Sequence, residues 1–324
     1  MLPTPDTAGN APAAPSVSIV LLTLDGMPEF ERALDMIARQ EYPGPVEIVH
    51  IDSGSTDGTL EVAAKRGLQT HCIRPEEFHH GRTRNLGADL ARHDIVVYLS
   101  QDAIPANESW LRSLTQAFSE RRVAAVFGRQ VAPEGVGPLR RYAMEWTYGP
   151  EREVRDLAAM PRLTLGSYRF SNANSALRAE LVRRHRFDET SPMCEDQAMC
   201  RALLHAGHVV VYEPDAAVYH AHERTVWGEF VWAVDNGIAL RRNGILGDPR
   251  LGGEMRYGLR RIADELAYFL RRGRLGLAAK GLLINAAKWV GVQLGKRETR
   301  LPRALMRRIS TIARRETVAR ASRP

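Results

Sequence analysis

The sequence predicts an α/β protein with a mainly parallel sheet flanked by helices and a basic helical appendage at its C-terminal end. Strand-like and helix-like segments alternate four times within the first 120 residues, which is typical of a parallel sheet covered by helices. The strand-like segments are short apolar runs, as expected where both faces of a sheet are buried. After residue 253, apolar residues recur every three or four positions among arginines and lysines, a pattern typical of basic amphipathic helices.

Each expected element follows from its apolar periodicity and its boundary residues. Pro28 suits the first turn of a helix, and Pro43, Gly44 and Pro45 separate that helix from the next strand. The expected strands are residues 17–22, 46–51, 69–73, 95–99, 123–127 and 209–212. The expected helices are residues 28–40, 56–67, 82–92, 108–120, 139–148, 177–185, 195–206, 225–242, 255–272, 275–294 and 301–315.

Length and composition indicate one large folded domain with additions at both ends. The chain has 324 residues, of which 44% are hydrophobic and 26% charged, a balance that excludes wholesale disorder. We expect a loose tail over residues 1–16 without the cationic start of a signal peptide, a main domain over 17–245 and the appendage over 254–324. Three cysteines without a Cys-x-x-Cys pair exclude a disulfide framework and a zinc ribbon, and they fit a reducing compartment.

Charge is distributed unevenly along the chain. Residues 254–324 contain 18 Lys and Arg but 5 Asp and Glu, a net charge of +13, whereas the rest of the chain carries −6. This asymmetry favours a partner with negative charge, and an anionic membrane surface is the reading preferred over nucleic acid or a merely solvated helix face. Lys280, Asn285 and Lys288 interrupt the most apolar stretch, so we do not expect a transmembrane helix there.

Aspartates follow three of the predicted strands. Asp25 lies just after the first strand, Asp52 at the end of the second and Asp102 just after the fourth. Ligands of open α/β sheets bind at the carboxyl ends of the strands, so these residues mark the expected site. The Gly-x-Gly-x-x-Gly fingerprint and the Walker A loop are absent from the sequence, which disfavours a nicotinamide dehydrogenase and a P-loop ATPase.

Four segments, taken together, resemble the inverting family-2 glycosyltransferases of the GT-A type. They are residues 52–59 (DSGSTDGT), 78–88 (FHHGRTRNLGA), 99–105 (LSQDAIP) and 194–207 (CEDQAMCRALLHAG). Within that family they are most similar to the rhamnosyltransferase-like branch, and the resemblance spans about residues 17–245. It implies a GT-A-like fold and the transfer of a sugar from a nucleotide-sugar.

The resemblance also implies a role for individual residues. Donor-binding residues would be Thr23, Asp52, Ser53, Arg82, Arg84, Asn85 and Gln101. A divalent metal, Mg²⁺ or Mn²⁺, would be held by Asp102 and His220, and Asp196 would be the general base. Acceptor-binding residues would be Glu195, Asn174 and Trp227.

The chemistry of glycosyl transfer requires these residue types. A departing nucleoside diphosphate needs a cation to neutralise its charge, and hard cations prefer oxygen ligands. An acceptor hydroxyl has a high pKa, so a carboxylate must take its proton during attack. The chain lacks the Gln-x-x-Arg-Trp motif of processive synthases, which indicates one sugar added per event.

The expected donor is dTDP-rhamnose, and the expected acceptor is a surface polysaccharide or a lipid-linked glycan. A UDP-hexose donor remains an alternative, as does a catalytically inactive membrane scaffold, because the segment around Asp102 has one acid where many relatives have two. A nucleotidyltransferase is disfavoured because no basic loop follows the first strand. The expected location is cytoplasmic, at the inner face of the cell membrane, and the oligomeric state is left open.

Overall fold

The structure is a computed structural model that describes residues 14–160, 162–252 and 254–321. Most of the predicted N-terminal tail therefore lies outside the described residues. The strands are β1 (Val17–Thr23), β2 (Val46–Asp52), β3 (Thr70–Cys72), β4 (Ile95–Ser100), β5 (Ile104–Pro105), β6 (Val123–Val131), β7 (Glu153–Arg155), β8 (Asn174–Arg178) and β9 (Val209–Tyr219). The helices are α1 (Glu29–Ala38), α2 (Thr59–Lys65), α3 (His80–Leu90), α4 (Trp110–Thr115), α5 (Pro138–Thr147), α6 (Ala179–His185), α7 (Glu195–His205), α8 (Val226–Arg242), α9 (Glu254–Leu270), α10 (Leu275–Lys296), α11 (Arg303–Ile309) and α12 (Thr311–Ala321).

The described strands form one mixed sheet in the order β3-β2-β1-β4-β8-β6-β9-β5, with β7 paired to β9. β1 pairs in parallel with β2 and β4, β2 with β3, and β6 with β9, in agreement with the predicted mainly parallel sheet. Ile19 and Val97 enter one apolar core, whereas Val20 and Val96 enter another on the opposite face of the sheet. Burial on both faces explains why these strands are continuous apolar runs.

One predicted helix begins too early. Residues 177–185 were expected to be helical, but Asn174–Arg178 form β8, and α6 begins at Ala179. β8 lies antiparallel between β4 and β6, so pairing on both sides holds Ala176 and Leu177 in an extended conformation. The prediction was wrong because the chain passes from strand to helix without a glycine or proline, and tertiary pairing decides the boundary.

The C-terminal helices pack on the main domain through α8. A Cβ atom at Gly295 of α10 would lie 2.1 Å from the carbonyl oxygen of Val234, so α10 approaches α8 at glycine distance. The predicted single helix over 301–315 is instead α11 and α12, separated at Ser310. The Ser310 hydroxyl donates to Asp235 Oδ1 of α8 at 2.5 Å, and this buried contact secures the break.

By length and composition alone, α10 could cross a membrane. Its most apolar 18-residue window has a mean hydropathy of 1.2, and 22% of that window is buried. A helix packed against protein also meets this criterion. Two of the polar residues that interrupt it have partners in the fold, because Lys288 lies 3.3 Å from Glu229 and Asn285 donates to Glu265.

Candidate active site

A cleft of about 360 Å³ opens at the carboxyl ends of β1 and β4, where the sequence places the site. Its polar lining consists of Thr23, His80, Arg84, Ser100, Gln101, Asp102, Asn172 and His222. A larger cavity of about 860 Å³ includes Ile95, at the start of β4, and Arg178, at the end of the antiparallel β8. That cavity therefore lies at the opposite edge of the sheet, and none of the predicted site residues line it.

Asp102, His220 and His222 form a cluster at one end of the cleft. His220 Nε2 lies 3.5 Å from one oxygen of Asp102, and His222 Nε2 lies 3.4 Å from the other. The ligand atoms of all three side chains are within 4.8 Å of one another. One carboxylate and two imidazoles on a small patch of the surface are a donor set that suits a divalent cation.

Strand pairing brings this cluster together from distant parts of the sequence. Asp102 lies two residues before Ile104 of β5, and Ile104 pairs with Tyr219 at the end of β9. The backbone N–H of His220 then donates to Val131 at the end of β6. The extended chain beyond β9 places His220 and His222 on the same face, with their rings 4.7 Å apart.

A hydrogen-bond relay fixes the orientation of His220. Gln130 Oε1 lies 2.9 Å from His220 Nδ1, and Gln130 Nε2 donates to Ser171 Oγ at 2.9 Å. Because the amide oxygen can only accept, Nδ1 donates to it, and Nε2 is directed towards Asp102. Outer contacts of this kind orient metal-binding histidines.

Asp102 is poised to be ionised. Burial raises the pKa of its carboxyl, but the hydrogen bond and charge of His220 and the charge of His222 outweigh burial, so the pKa lies below its usual value. An ionised carboxylate is the form of this side chain that metal binding requires.

Asp196 begins a second cluster at the N-terminal end of α7. Its Oδ2 accepts from the backbone N–H of Asn172 at 3.4 Å, and Asn172 lines the cleft. Its Oδ1 accepts from the N–H of Gln197 at 2.7 Å. Burial, followed by the charge of Glu195, raises the pKa of Asp196 to about 7, despite the opposing effect of Arg84 and the two backbone hydrogen bonds.

The neighbouring acid has a different environment. Glu195 is buried and forms an ion pair with Arg84 of α3, whose side chain is 12% exposed. Arg84 in turn lines the cleft together with His80, and burial lowers the pKa of His80 to about 4. The guanidinium is therefore held at the cleft wall by a carboxylate behind it.

Two of the predicted donor residues, Thr23 and Asp52, belong to a buried hydrogen-bond network. Asp52 accepts from Thr23 Oγ1 at 2.6 Å, from Ser55 Oγ at 2.5 Å and from two backbone N–H groups. These hydrogen bonds lower the pKa of Asp52 against the raising effect of burial. Ser53 is also fully buried, and its hydroxyl has no hydrogen-bond partner among the described residues.

Three further predicted donor residues connect structural elements. Gln101 exchanges two hydrogen bonds with the backbone of Leu24, which joins the loops after β4 and β1 while keeping Gln101 in the cleft wall. Asn85 is buried and clamps the backbone of Phe187 through its amide. Arg82 is 57% exposed and lies 3.5 Å from Glu189, away from the cleft lining.

Two of the predicted acceptor residues, Asn174 and Trp227, differ in their exposure to solvent. Asn174 is fully buried, accepts from Trp110 Nε1 at 2.9 Å and donates to the Ala216 carbonyl at 2.7 Å, so its amide is used within the fold. Trp227 is 58% exposed and stacks on Phe230 at 5.1 Å between ring centroids.

Sequence reasoning left three site residues out of its assignments. His222 lies two positions after His220 in an extended segment, so the two side chains share a face. This spacing is the sequence signal for a second histidine ligand. Asn172 has a buried amide nitrogen without a partner among the described residues, directly at the cleft. Gln130 lies 90 residues before His220, and its pairing depends on the β6–β9 ladder, which the sequence pattern does not specify.

Comparison with known proteins identifies the family. The sequence profile of glycosyl transferase family 2 matches residues 18–186, which is more than half of the chain. The chain belongs to glycosyl transferase family 2. It is therefore a glycosyltransferase, as the sequence predicts.

Two curated relatives cover most of this family-2 chain. An O-antigen chain rhamnosyltransferase of Salmonella anatum, WbaN, is 31% identical over 82% of this chain and 84% of its own length. An O-antigen chain rhamnosyltransferase of Salmonella typhimurium, RfbN, is 29% identical over 91% of this chain and 94% of its own length. The predicted rhamnosyltransferase-like membership is confirmed.

A solved structure supports the GT-A-like fold of this family-2 chain. A mannosyltransferase from Pyrobaculum calidifontis, in complex with GDP-Man and Mn²⁺, superposes with a TM-score of 0.54 at 20% identity, covering 96% of this chain and 87% of the other. At this level of identity the similarity concerns the fold.

Proposed function

We propose that this glycosyltransferase moves L-rhamnose from dTDP-rhamnose to a hydroxyl of a surface-polysaccharide or lipid-linked acceptor, with inversion at the anomeric carbon. The observation that carries the proposal is that the Asp102–histidine cluster lies at the cleft to which Asp196 is joined through its hydrogen bond with Asn172. Support for the sugar comes from two relatives named O-antigen chain rhamnosyltransferases, each of which covers more than four fifths of this chain.

The residues at the cleft wall suit a nucleoside diphosphate. Arg84, Ser100 and the Asn172 amide nitrogen, which has no partner among the described residues, offer donors to phosphate and sugar oxygens. A divalent cation held by Asp102, His220 and His222 would neutralise the charge that develops on the departing diphosphate. Two imidazoles in the donor set favour Mn²⁺ over Mg²⁺, which prefers an all-oxygen shell.

Asp196 would serve as the general base. As the acceptor oxygen forms its bond to the anomeric carbon, the bond from that carbon to the diphosphate oxygen breaks, and the nucleoside diphosphate leaves with the electron pair. The acceptor proton passes to Asp196, whose pKa of about 7 suits a base that works near neutral pH. A single displacement of this kind inverts the anomeric centre.

On the acceptor side, Trp227 offers an exposed ring on which a sugar can stack. Glu195 and Asn174 have roles in the fold, so we keep Trp227 as the acceptor contact. A peripheral position at the inner face of the membrane fits the exposed apolar side chains of α10, among them Leu283 and Trp289.

The donor preference can be tested through thermal stability of the full chain with dTDP-, UDP- and GDP-linked sugars, with and without Mn²⁺. A ligand at 100 times its dissociation constant stabilises by about 2.7 kcal/mol. We expect the largest shift with dTDP-rhamnose and Mn²⁺, and loss of the Mn²⁺-dependent part in Asp102→Asn. A larger shift with a UDP-hexose would overturn the donor assignment, and no shift with any donor would overturn the proposal.

A further inference from the structure

A second pocket, of about 150 Å³, lies between α5, α8, α9 and α10. We call it the cationic pocket, because five of its lining side chains are Arg140, Arg224, Arg261, Lys280 and Lys288. Two residues of its lining, Glu223 and Arg224, directly follow His222 of the active site in the sequence. The active-site assignments use none of these five cations.

The carboxylates of the cationic pocket neutralise little of this charge. Glu223 accepts from the backbone N–H of Gly137 at 2.6 Å, and Glu265 accepts from the Asn285 amide at 3.2 Å. Glu229 pairs with Lys288 at 3.3 Å. Within the described ranges, no ion pair joins Arg140, Arg224 or Arg261 to any of the three carboxylates.

Two of these arginines are also short of hydrogen bonds. The Nε atoms of Arg140 and Arg261 are buried and have no partner among the described residues. Burial lowers the pKa of Arg140, with Glu229 opposing and Arg224 and Arg261 adding to the effect, and burial together with Arg261 lowers the pKa of Lys288. Cations that cluster in this way repel one another, and a bound anion would supply both opposite charge and hydrogen-bond acceptors.

The solvent-exposed face of α10, one of the helices that line the cationic pocket, is apolar. Leu282, Leu283, Trp289 and Val290 of α10 are each at least 41% exposed. Lys280 and Lys288 of α10 line the cationic pocket, so this helix carries cations on one side and an apolar surface on another. This combination matches an anionic group attached to a long hydrocarbon chain.

We propose that the cationic pocket binds the phosphate or diphosphate of a polyprenyl carrier that bears the acceptor saccharide. This rests on the proposed function and specifies its acceptor class. Arginine forks match phosphate oxygens, and the pocket lies beside the segment that carries the histidines of the active site. The carrier phosphate would then anchor the acceptor while its sugar reaches the cleft.

Farnesyl diphosphate is a suitable probe in isothermal titration of the full chain, with EDTA present so that a metal-dependent donor site does not contribute. We expect Arg140→Gln and Arg261→Gln each to raise its dissociation constant about tenfold or more, since hydrogen bonds to charged groups are lost. Arg260→Gln is the matched control, because Arg260 is the next residue on α9 and its side chain is 81% exposed. Asp102→Asn should bind as tightly as the wild type.

Vesicles containing phosphatidylglycerol separate a carrier phosphate from a membrane headgroup. We expect Arg261→Gln and Arg260→Gln to bind these vesicles equally, since each loses one charge. A far greater loss of vesicle binding in Arg261→Gln would assign the pocket to headgroups and overturn the carrier proposal, as would farnesyl diphosphate binding that neither pocket variant weakens.

Cleavage of the nucleotide-sugar by water provides an independent readout of the proposed function. Arg261→Gln should cleave the donor at the wild-type rate, because Arg261 does not line the cleft. Donor cleavage without pocket-dependent binding of farnesyl diphosphate would remove the pocket proposal alone. Pocket-dependent binding without cleavage of any donor would remove the proposed function and leave the pocket as a lipid-phosphate site.

Discussion

Adjacent acids at the start of α7 have opposite environments. Glu195 is neutralised by Arg84, whereas Asp196 is half-buried beside Glu195, forms no ion pair within the described ranges, and has a pKa raised to about 7. Neighbouring acids in different environments commonly take different roles, one in chemistry and the other in structure. The assignment of Asp196 as base rests on this contrast and on its contact with Asn172 at the cleft.

Replacing Asp196 by Asn should therefore reduce transfer more than binding. We expect kcat to fall by about 10²- to 10⁴-fold, the usual contribution of a general base, with donor affinity within about twofold of the wild type. Steady-state kinetics and donor titration measure the two quantities. The exposed Asp215→Asn is the control, and equal losses in both variants would count against the assignment.

The raised pKa also predicts a pH dependence of stability. The folded state holds the Asp196 proton up to about pH 7, whereas an ordinary aspartate ionises near pH 4, so wild-type stability falls as pH rises between these values. Asp196→Asn removes this loss. Urea unfolding should show that the variant gains about 1 kcal/mol or more over the wild type on going from pH 4 to pH 8. An advantage that is constant or shrinks over this range would contradict the environment described.

The Asp102 cluster predicts effects on metal affinity. His222→Ala should weaken Mn²⁺ binding by removing a ligand, and Gln130→Leu should weaken it by about 10- to 100-fold by releasing the orientation of His220. Direct Mn²⁺ titration by electron paramagnetic resonance measures both. Full Mn²⁺ affinity in His222→Ala would show that this cluster does not hold the metal.

At the scale of elements, the parallel strands were predictable because each is an apolar run buried on both faces. β8 and the short β5 were not, since their extended form depends on pairing with strands far away in the sequence. The same dependence explains the site. Asp102 and Asp196 were identified from local motifs, whereas the internal roles of Asp52, Asn85 and Asn174 depend on contacts that only the folded chain creates.

The contact between α8 and α10 makes a prediction about glycine. Gly295→Ala should destabilise the protein by about 1–3 kcal/mol, because its Cβ would lie 2.1 Å from the Val234 carbonyl oxygen. Gly276→Ala on the same helix meets nothing within 4 Å and should stabilise by up to about 1 kcal/mol. Chemical denaturation compares them, and equal effects would argue against close packing of these helices.

At the scale of the whole molecule, opposite charges occupy different parts of the chain. The net charge of +13 over residues 254–324 contrasts with −6 elsewhere, and the basic part also carries the exposed apolar residues of α10. Contacts such as that of Arg242 with Glu298 join this part to α8, so an anchored appendage would hold the cleft at a constant orientation to a membrane. The boundary between domain and appendage stays a prediction.

Membrane association should therefore depend on charge and salt. We expect cosedimentation with phosphatidylglycerol vesicles that weakens as NaCl rises from about 0.05 M to about 0.5 M, because screening shortens the reach of each charge. Phosphatidylcholine vesicles are the control. Salt-independent binding, or equal binding to both vesicle types, would indicate that the basic charge is not what brings the protein to a membrane.

The proposed reaction is a metal-assisted, inverting transfer of rhamnose from dTDP-rhamnose with Asp196 as the general base. The most direct measurement is proton NMR of dTDP-rhamnose incubated with the full chain and Mg²⁺, a diamagnetic cation, which follows nucleotide release and the anomeric configuration of the first product together. We expect the nucleotide to be released with inversion of the anomeric configuration of the sugar. In Asp196→Asn the rate of nucleotide release should be lower by about 10²-fold or more. Retained configuration, or undiminished release in the variant, would contradict it.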